Sequence, residues 1–187
     1  MVLPVLVYGS PSLRQPSEPA GADTPGLNEL IDSLFETMYA SEGVGLAAPQ
    51  VGHNVQLVVL DASPGAKEDP SLKDFRRVLI NPEIYEMSDE EVLMNEGCLS
   101  VPGIHEDVYR PEWIRLRYLD RNLQPQEELL EGYPARIAQH EIDHLDGTLF
   151  VERLSPLRKT LLQGKLSAMS RGKYKADYKT RQMKSPK

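Results

Sequence analysis

The segment QHEIDHLDG, Gln139 to Gly147, places two histidines four residues apart with a glutamate directly after the first. On a helix, residues i and i+4 stack on one face, so His140 and His144 aim ring nitrogens at one point that a metal ion would fill. Glu141 lies one step round the helix, poorly placed as a further ligand but within reach of a water at that point, as a general base would be. A structural zinc site closes its tetrahedron with four protein ligands, whereas a catalytic site uses three and leaves one position open. A fold built on this motif must therefore bring at least one more donor to the helix from elsewhere in the chain. The alternative is a solvated helix face that happens to carry two histidines, and the remaining sequence has to decide.

The chain has 187 residues, 40% apolar and 26% charged, enough for one packed domain of ordinary globular composition. Its opening, MVLPVLVYGSPSLRQP, lacks the basic and long apolar stretches of a secretory signal, and no run approaches a membrane span. A cytoplasmic location without a membrane partner is the expectation. The lone cysteine, Cys98, excludes an intrachain disulfide; it is either a small buried hydrophobe or the missing ligand. Charge is uneven along the chain: from Arg153 onward eleven Lys and Arg accompany a single acid, Asp177, although acids outnumber bases 28 to 21 overall. A basic end of this kind is either a solvated terminus or a surface for phosphate.

Periodicity places the elements. Leu27, Leu30, Ile31, Leu34 and Met38 recur at helical intervals, with Pro25 near the first turn and Gly43 past the end. Val55 to Ala62 is short, β-branched and apolar, the pattern of a buried strand; Arg77 to Ile84 and Val92 to Cys98 are further strand segments. WIRLRY at 113–118 alternates apolar and basic residues, LDRNLQP supplies a turn, and QEELLEG returns as the partner of an antiparallel hairpin. The histidine helix opens at Gly132 or Tyr133, with Pro134 in its first turn. Ser155 and Pro156 read as the cap and first residue of a last helix with an apolar stripe of Leu157, Leu161, Leu162, Leu166 and Met169. The fold class expected is α+β: antiparallel or mixed sheets packed around a central metal-binding helix, with an N-terminal and a C-terminal helix. Residues 1–170 form one catalytic domain in this reading, and 171–187 a basic, flexible tail.

Two further stretches carry chemistry. MNEGCLSVPG, Met94 to Gly103, sets Cys98 in a short extended segment closed by Pro102, and a thiolate there would complete a Cys–His₂ set with one open position. EGVGLAAPQVG, Glu42 to Gly52, is small enough for close backbone approach to a ligand and leaves Gln50 as its main polar side chain. It does not have the position or glycine spacing of a nucleotide loop.

In order, GVGLAAPQVG, EGCLSVP and QHEIDHLDG closely resemble the motifs of the peptide deformylases, which remove the formyl group from the N-terminal methionine of new proteins. The resemblance spans roughly Val2 to Leu166 and is to the bacterial class. It implies Cys98, His140 and His144 as ligands of one divalent metal, Fe²⁺ by preference with Zn²⁺, Ni²⁺ or Co²⁺ also suited, and Glu141 as acid and base. It further implies that Gln50 and the Leu99 N–H donate to the substrate carbonyl, and that backbone groups of Val44, Gly45 and Gly97 form the edge on which the peptide lies as an added strand. Val44, Tyr133, the stem of Arg136, Ile137 and His140 would line the methionine pocket. Formyl would be preferred to acetyl because the loops of Gly45 and Leu99 leave little room. The implied partners are formyl-methionyl nascent peptides and, through the basic C-terminal helix and tail, the ribosome. The chain departs from the family pattern at His105, where many relatives carry an arginine that anchors the peptide, and at Tyr133–Pro134. Arg110 matches a family arginine and is expected to pair with Glu42. A zinc peptidase and a metal-stabilised RNA-binding module are the rival readings; the first usually takes a third ligand downstream, where no histidine follows His144.

Overall fold

A computed structural model describes residues 1–183 of the chain. The elements run β1 (Val5–Leu6), α1 (Leu27–Ala40), β2 (Gly45–Ala47), β3 (Leu57–Asp61), β4 (Arg76–Met87), β5 (Glu91–Gly97), β6 (His105–Pro111), β7 (Trp113–Leu119), β8 (Pro125–Glu131), α2 (Gly132–Leu145), α3 (Pro156–Ser170) and β9 (Thr180–Arg181), with short 3₁₀ turns between them. The antiparallel β2-β3-β4-β7-β8 sheet is the largest, β5 pairs with β6, and β1 pairs in parallel with β9. Among the described residues no helix is long and apolar enough to cross a membrane.

The continuous apolar run of β3 is explained by burial on both faces. Val58 and Leu60 pack with Leu79, Ile114 and Leu116 beneath Ala135 and Ala138 of α2. Leu57 and Val59 point the other way, against Ile31, Leu34 and Met38 of α1. Side chains alternate along a strand, so this one short segment joins both helices to the sheet. Burying residues of this size contributes roughly 1.5–3 kcal/mol each. A third cluster, holding Val101, Val108, Phe150, Leu162, Leu166 and Met169, packs α3 against β6 and the segment after Cys98.

The helices open close to the expected residues, and Ser155 Oγ accepts from the Arg158 N–H as a cap should. The hairpin pairs Trp113 with Glu131 through Leu119 with Pro125, as its alternation predicts. Two expectations need correction. The α3 stripe is narrower than predicted: Leu157 and Leu161 are exposed, because they lie on the neighbouring stripe that Lys165 continues into solvent, whereas Leu162, Leu166 and Met169 face the core. The tail expected to be loose from 171 is tied to the body as far as Met183: β9 pairs with β1, and the Gln182 side chain donates to the Tyr8, Met169 and Ser170 carbonyls. Residues 184–187 of that tail lie outside the described residues.

α2 is wedged between the large sheet and the β5–β6 pair, which leaves one edge of β2 and the end of β5 beside its last two turns, around His140, Glu141 and His144. That wedge decides where the histidines point.

Candidate metal centre

On α2, His140 and His144 take the same face, 5.3 Å apart between ring centres, and both are buried. Cys98, immediately past β5, reaches the same point: its Sγ lies 3.3 Å from His144 Nε2, and the Cys98, His140 and His144 donor atoms all fall within 4.8 Å of one another. Among the described residues this is the one cluster of three such donors close enough to hold a metal ion. One thiolate and two imidazoles make a donor set suited to Zn²⁺ or Fe²⁺. The buried Glu141 Oε2 has no hydrogen-bond partner in the protein and stands 4.0 Å from His144 Nε2, free to accept from a water or substrate at the shared point.

A second layer orients these groups. Glu96, buried two residues before Cys98, accepts from His140 Nδ1 at 2.8 Å, which turns the other ring nitrogen toward Cys98. The same carboxylate accepts from Arg110 Nε at 2.6 Å, Arg110 Nη2 at 2.9 Å and Arg136 Nη1 at 2.7 Å. Arg110 also donates to Asp143 of α2, which binds Arg153 in turn. The expected Arg110–Glu42 pair is therefore not formed. Alternation along β6 sends Arg110 inward beside Val108, toward Glu96 and α2, while Glu42 is exposed beyond the end of α1. Phe150 packs against the His140 ring, 5.8 Å between centres, and completes its enclosure.

These surroundings set protonation. Burial disfavours a charge on His140, but its hydrogen bonds to Cys98 and Glu96 outweigh that and raise its pKa well above the usual value. Burial, then the charge of His140, pushes His144 well below it. Burial also pushes Glu141 up to about 7, the range in which a carboxylate exchanges protons near neutrality. A cation at the shared point would have to displace protons from this set.

Around the centre lies a cleft of about 590 Å³ lined by Val44, Gly45, Gln50, Gly97, Cys98, Leu99, Tyr133, Arg136, Ile137, His140 and Glu141, so every residue expected to bind metal or substrate or to act on it lines the cleft except His144, whose Nε2 is 3.3 Å from Cys98 Sγ. Gln50 is held by its own loop: Oε1 accepts from the Ala47 N–H at 2.8 Å, leaving Nε2 to donate to Ser100 Oγ at 3.1 Å and toward Cys98 Sγ at 3.6 Å. The amide thus presents its donor side to the cleft. Gly45 has no room for a side chain, since a Cβ there would meet Glu141 at 2.6 Å. Val44 C=O accepts from Asp61 within the sheet, so strand alternation turns the Gly45 N–H and C=O outward along the free edge of β2. The guanidinium of Arg136 is occupied by Glu96 and the Val92 and Val108 carbonyls, leaving only its stem for the cleft. The His105 ring stands against Gly97, where a Cβ would meet it at 2.6 Å.

Sequence reasoning missed Glu96, Ser100 and the stretch 175–178, which also lines the cleft. Glu96 carried a usable signal: it shares a strand face with Val92 and Met94, and an acid continuing an apolar face needs a buried partner. The other two carried none.

The sequence model of one protein family, Polypeptide deformylase, matches residues 2–160. Among curated proteins, a peptide deformylase of Salinibacter ruber is 47% identical over 182 residues, covering 95% of this chain and 93% of its own. One of Christiangramia forsetii is 43% identical over 188 residues, covering 97% and 96%. Among solved structures, a peptide deformylase from Legionella pneumophila superposes with a TM-score of 0.79 at 39% identity, covering 91% of this chain and 96% of that one. A Met-Ala-Ser-bound class I type b peptide deformylase from Acinetobacter baumannii gives 0.75 at 39%, covering 82% and 99%.

Proposed function

This chain belongs to the peptide deformylase family and removes the formyl group from the N terminus of newly made polypeptides with a divalent metal ion, and we propose that Cys98, His140 and His144 hold that ion. When bound, the ion supplies a Lewis acid and lowers the pKa of a water toward neutrality. Glu141 takes a proton from the attacking water as its oxygen bonds to the formyl carbon, and returns that proton to the amine as the C–N bond breaks and formate leaves. Its raised pKa and its unpartnered Oε2 support the double role, because a fully ionised carboxylate held by other donors would release a proton too readily and accept one too poorly.

Gln50 Nε2 and the Leu99 N–H donate to the oxygen on which negative charge develops at the formyl carbon; such donors are each worth roughly 10²- to 10³-fold in rate. The extended peptide lies between the free edge of β2, through Gly45, and the end of β5, through Gly97, as an added strand. Val44, Tyr133, Ile137 and the Arg136 stem enclose the methionine side chain. The relative solved with Met-Ala-Ser bound supports a peptide in this cleft. Fe²⁺ is the metal we assign, with Zn²⁺, Ni²⁺ and Co²⁺ as ions the same donors accept. The exposed Lys159, Lys165, Arg171 and Lys173 on and after α3 support docking on ribosomal phosphate as the route to the emerging chain.

The observation that carries the site is the approach of three donors from two distant segments beside a buried, unpaired glutamate. The test is anaerobic formate release from formyl-Met-Ala-Ser with each of the four metals and with Glu141→Ala. Release that depends on added metal and is lost in Glu141→Ala, while metal stays bound, supports these roles. Turnover by Glu141→Ala at the wild-type rate would remove Glu141 from the mechanism.

A further inference from the structure

The basic carboxy-terminal stretch takes no part in the reaction as derived above, yet Lys175, Ala176, Asp177 and Tyr178 line the cleft that contains Cys98 and Glu141. We propose that this stretch is a working wall of the catalytic cleft and that Tyr178 is a positioning residue for the Leu99 backbone. The inference rests on Leu99 N–H being a donor to the substrate carbonyl.

Leu99 lies past the end of β5, in a turn where no strand ladder holds its peptide planes. Among the described residues its N–H donates to no protein acceptor. It shares a peptide plane with the Cys98 C=O, which accepts from the Val101 N–H at 2.9 Å within the turn, so its direction depends on that bond and on what holds the next peptide plane. The Tyr178 hydroxyl donates to the Leu99 C=O at 2.7 Å, and the Tyr8 N–H donates to the next carbonyl, that of Ser100, at 2.8 Å. Two successive carbonyls directly after Cys98 are thus held, one by each end of the chain.

The two ends are themselves tied together. Val5 N–H donates to Lys179 C=O at 2.9 Å and Val7 N–H to Arg181 C=O at 3.2 Å, while Met183 N–H reaches Ser10 Oγ at 3.1 Å; within the strap itself, the Tyr174 and Thr180 hydroxyls lie 3.1 Å apart. β1 is fully buried, so the strap that carries Tyr178 is pinned to the core rather than to another loop. A donor contributes to catalysis because it is aimed before charge develops. The Leu99 carbonyl belongs to the peptide plane after the one that carries its N–H, so holding it limits rotation at the Leu99 Cα between the two planes, which is the work assigned to Tyr178. A hydroxyl that only fastened the tail would affect stability and leave turnover per bound metal unchanged.

The test uses full-length, metal-loaded Tyr178→Phe, with formate release from formyl-Met-Ala-Ser measured under argon beside wild type. The variant keeps the ring and loses one neutral hydrogen bond, so kcat is expected to fall about two- to tenfold, the range such a bond spans. KM and bound metal are expected to stay close to wild type, and the thermal midpoint to fall by no more than a few degrees. A wild-type kcat, or a loss that only tracks lost metal or a lowered midpoint, overturns the inference. Gln182→Ala loosens the strap from outside the cleft and is expected to lower kcat in the same direction by a smaller factor; if Tyr178→Phe does not fold and Gln182→Ala has wild-type kcat, the inference is again overturned. Metal-loaded wild type that releases no formate would instead remove the deformylase reading, and this inference with it, whereas an active wild type matched by Tyr178→Phe removes the inference alone.

Discussion

Arginine–glutamate pairs occur at opposite extremes of solvent contact in this protein. Around the candidate metal centre, the side chains of Glu96, Arg110 and Arg136 are all 5% exposed or less, and one carboxylate receives donors from both arginines and from His140. On the β7–β8 hairpin, Arg117 and Glu127 face each other directly across the strands at 3.1 Å, each more than half exposed, with Tyr85 also donating to Glu127. The distances are alike and the consequences are not. In water, the attraction of an exposed pair is mostly offset by hydration and side-chain entropy. In the interior each charge has been taken out of water, so losing a partner leaves a charge with nothing to replace it. The buried set thus holds α2 and the His140 ring in one arrangement, while the exposed pair only decorates the hairpin.

Four substitutions separate the buried set from the exposed pair. Arg110→Ala strips Glu96 and Asp143 of a shared cation and is expected to cost about 3–5 kcal/mol of stability, as removal of one buried partner does. Chemical denaturation of the metal-loaded protein checks it, and a stability equal to wild type would mean that the cluster does not hold α2. Glu96→Gln keeps the volume but removes the charge behind His140, and should weaken metal affinity about 10- to 100-fold. Chelator competition reads this directly; unchanged affinity would confine Glu96 to packing.

Glu128 lies between the extremes, half-buried on β8, with Arg77 at 2.9 Å and the Tyr118 hydroxyl also donating to it. Burial raises its pKa, but the Arg77 and Tyr118 hydrogen bonds outweigh burial and leave it lowered. A carboxylate with a lowered folded pKa contributes stability above its unfolded pKa, about 4.3, and loses that contribution as pH falls through its folded pKa. The gap in thermal midpoint between wild type and Glu128→Gln should therefore be present at pH 7 and close in acid; a gap that widened on acidification would reverse the assigned sign. Least is expected of Glu127→Gln, whose thermal midpoint and formate release should match wild type at moderate salt. A measurable drop would show that exposure does not discount the hairpin pair.

How much of this was legible beforehand varied with the range of the interaction. The i, i+4 histidines needed only helical geometry, and α1, the β7–β8 hairpin and the Ser155 cap followed from period and turn chemistry that act within a few residues. Gly45 was readable as a close approach, though not that Glu141 is what approaches it. Arg110 was assigned a structural ion pair with the wrong partner, because the choice between Glu42, Glu96 and Asp143 depends on which face of β6 meets α2. The leucine pattern of α3 was too generous, because nothing local distinguishes a stripe that meets the core from one beside it. The tail misled most: its lysines suggested solvent, yet β9 pairs with a strand some 175 positions earlier in the chain.

Residue types and their spacing set the chemistry on offer: a thiol, two imidazoles at one helical spacing, a glutamate beside the first, and a glycine loop with one amide side chain. Those are properties of residue type and short-range period, which survive without knowing what packs against what. It took the folded chain to bring Cys98 to the histidines, to set Glu96 against His140, and to place Tyr8 and Tyr178 on consecutive carbonyls after Cys98. The physical reason is that each of these joins segments brought together by burial of three separate apolar clusters, and burial is indifferent to separation along the chain.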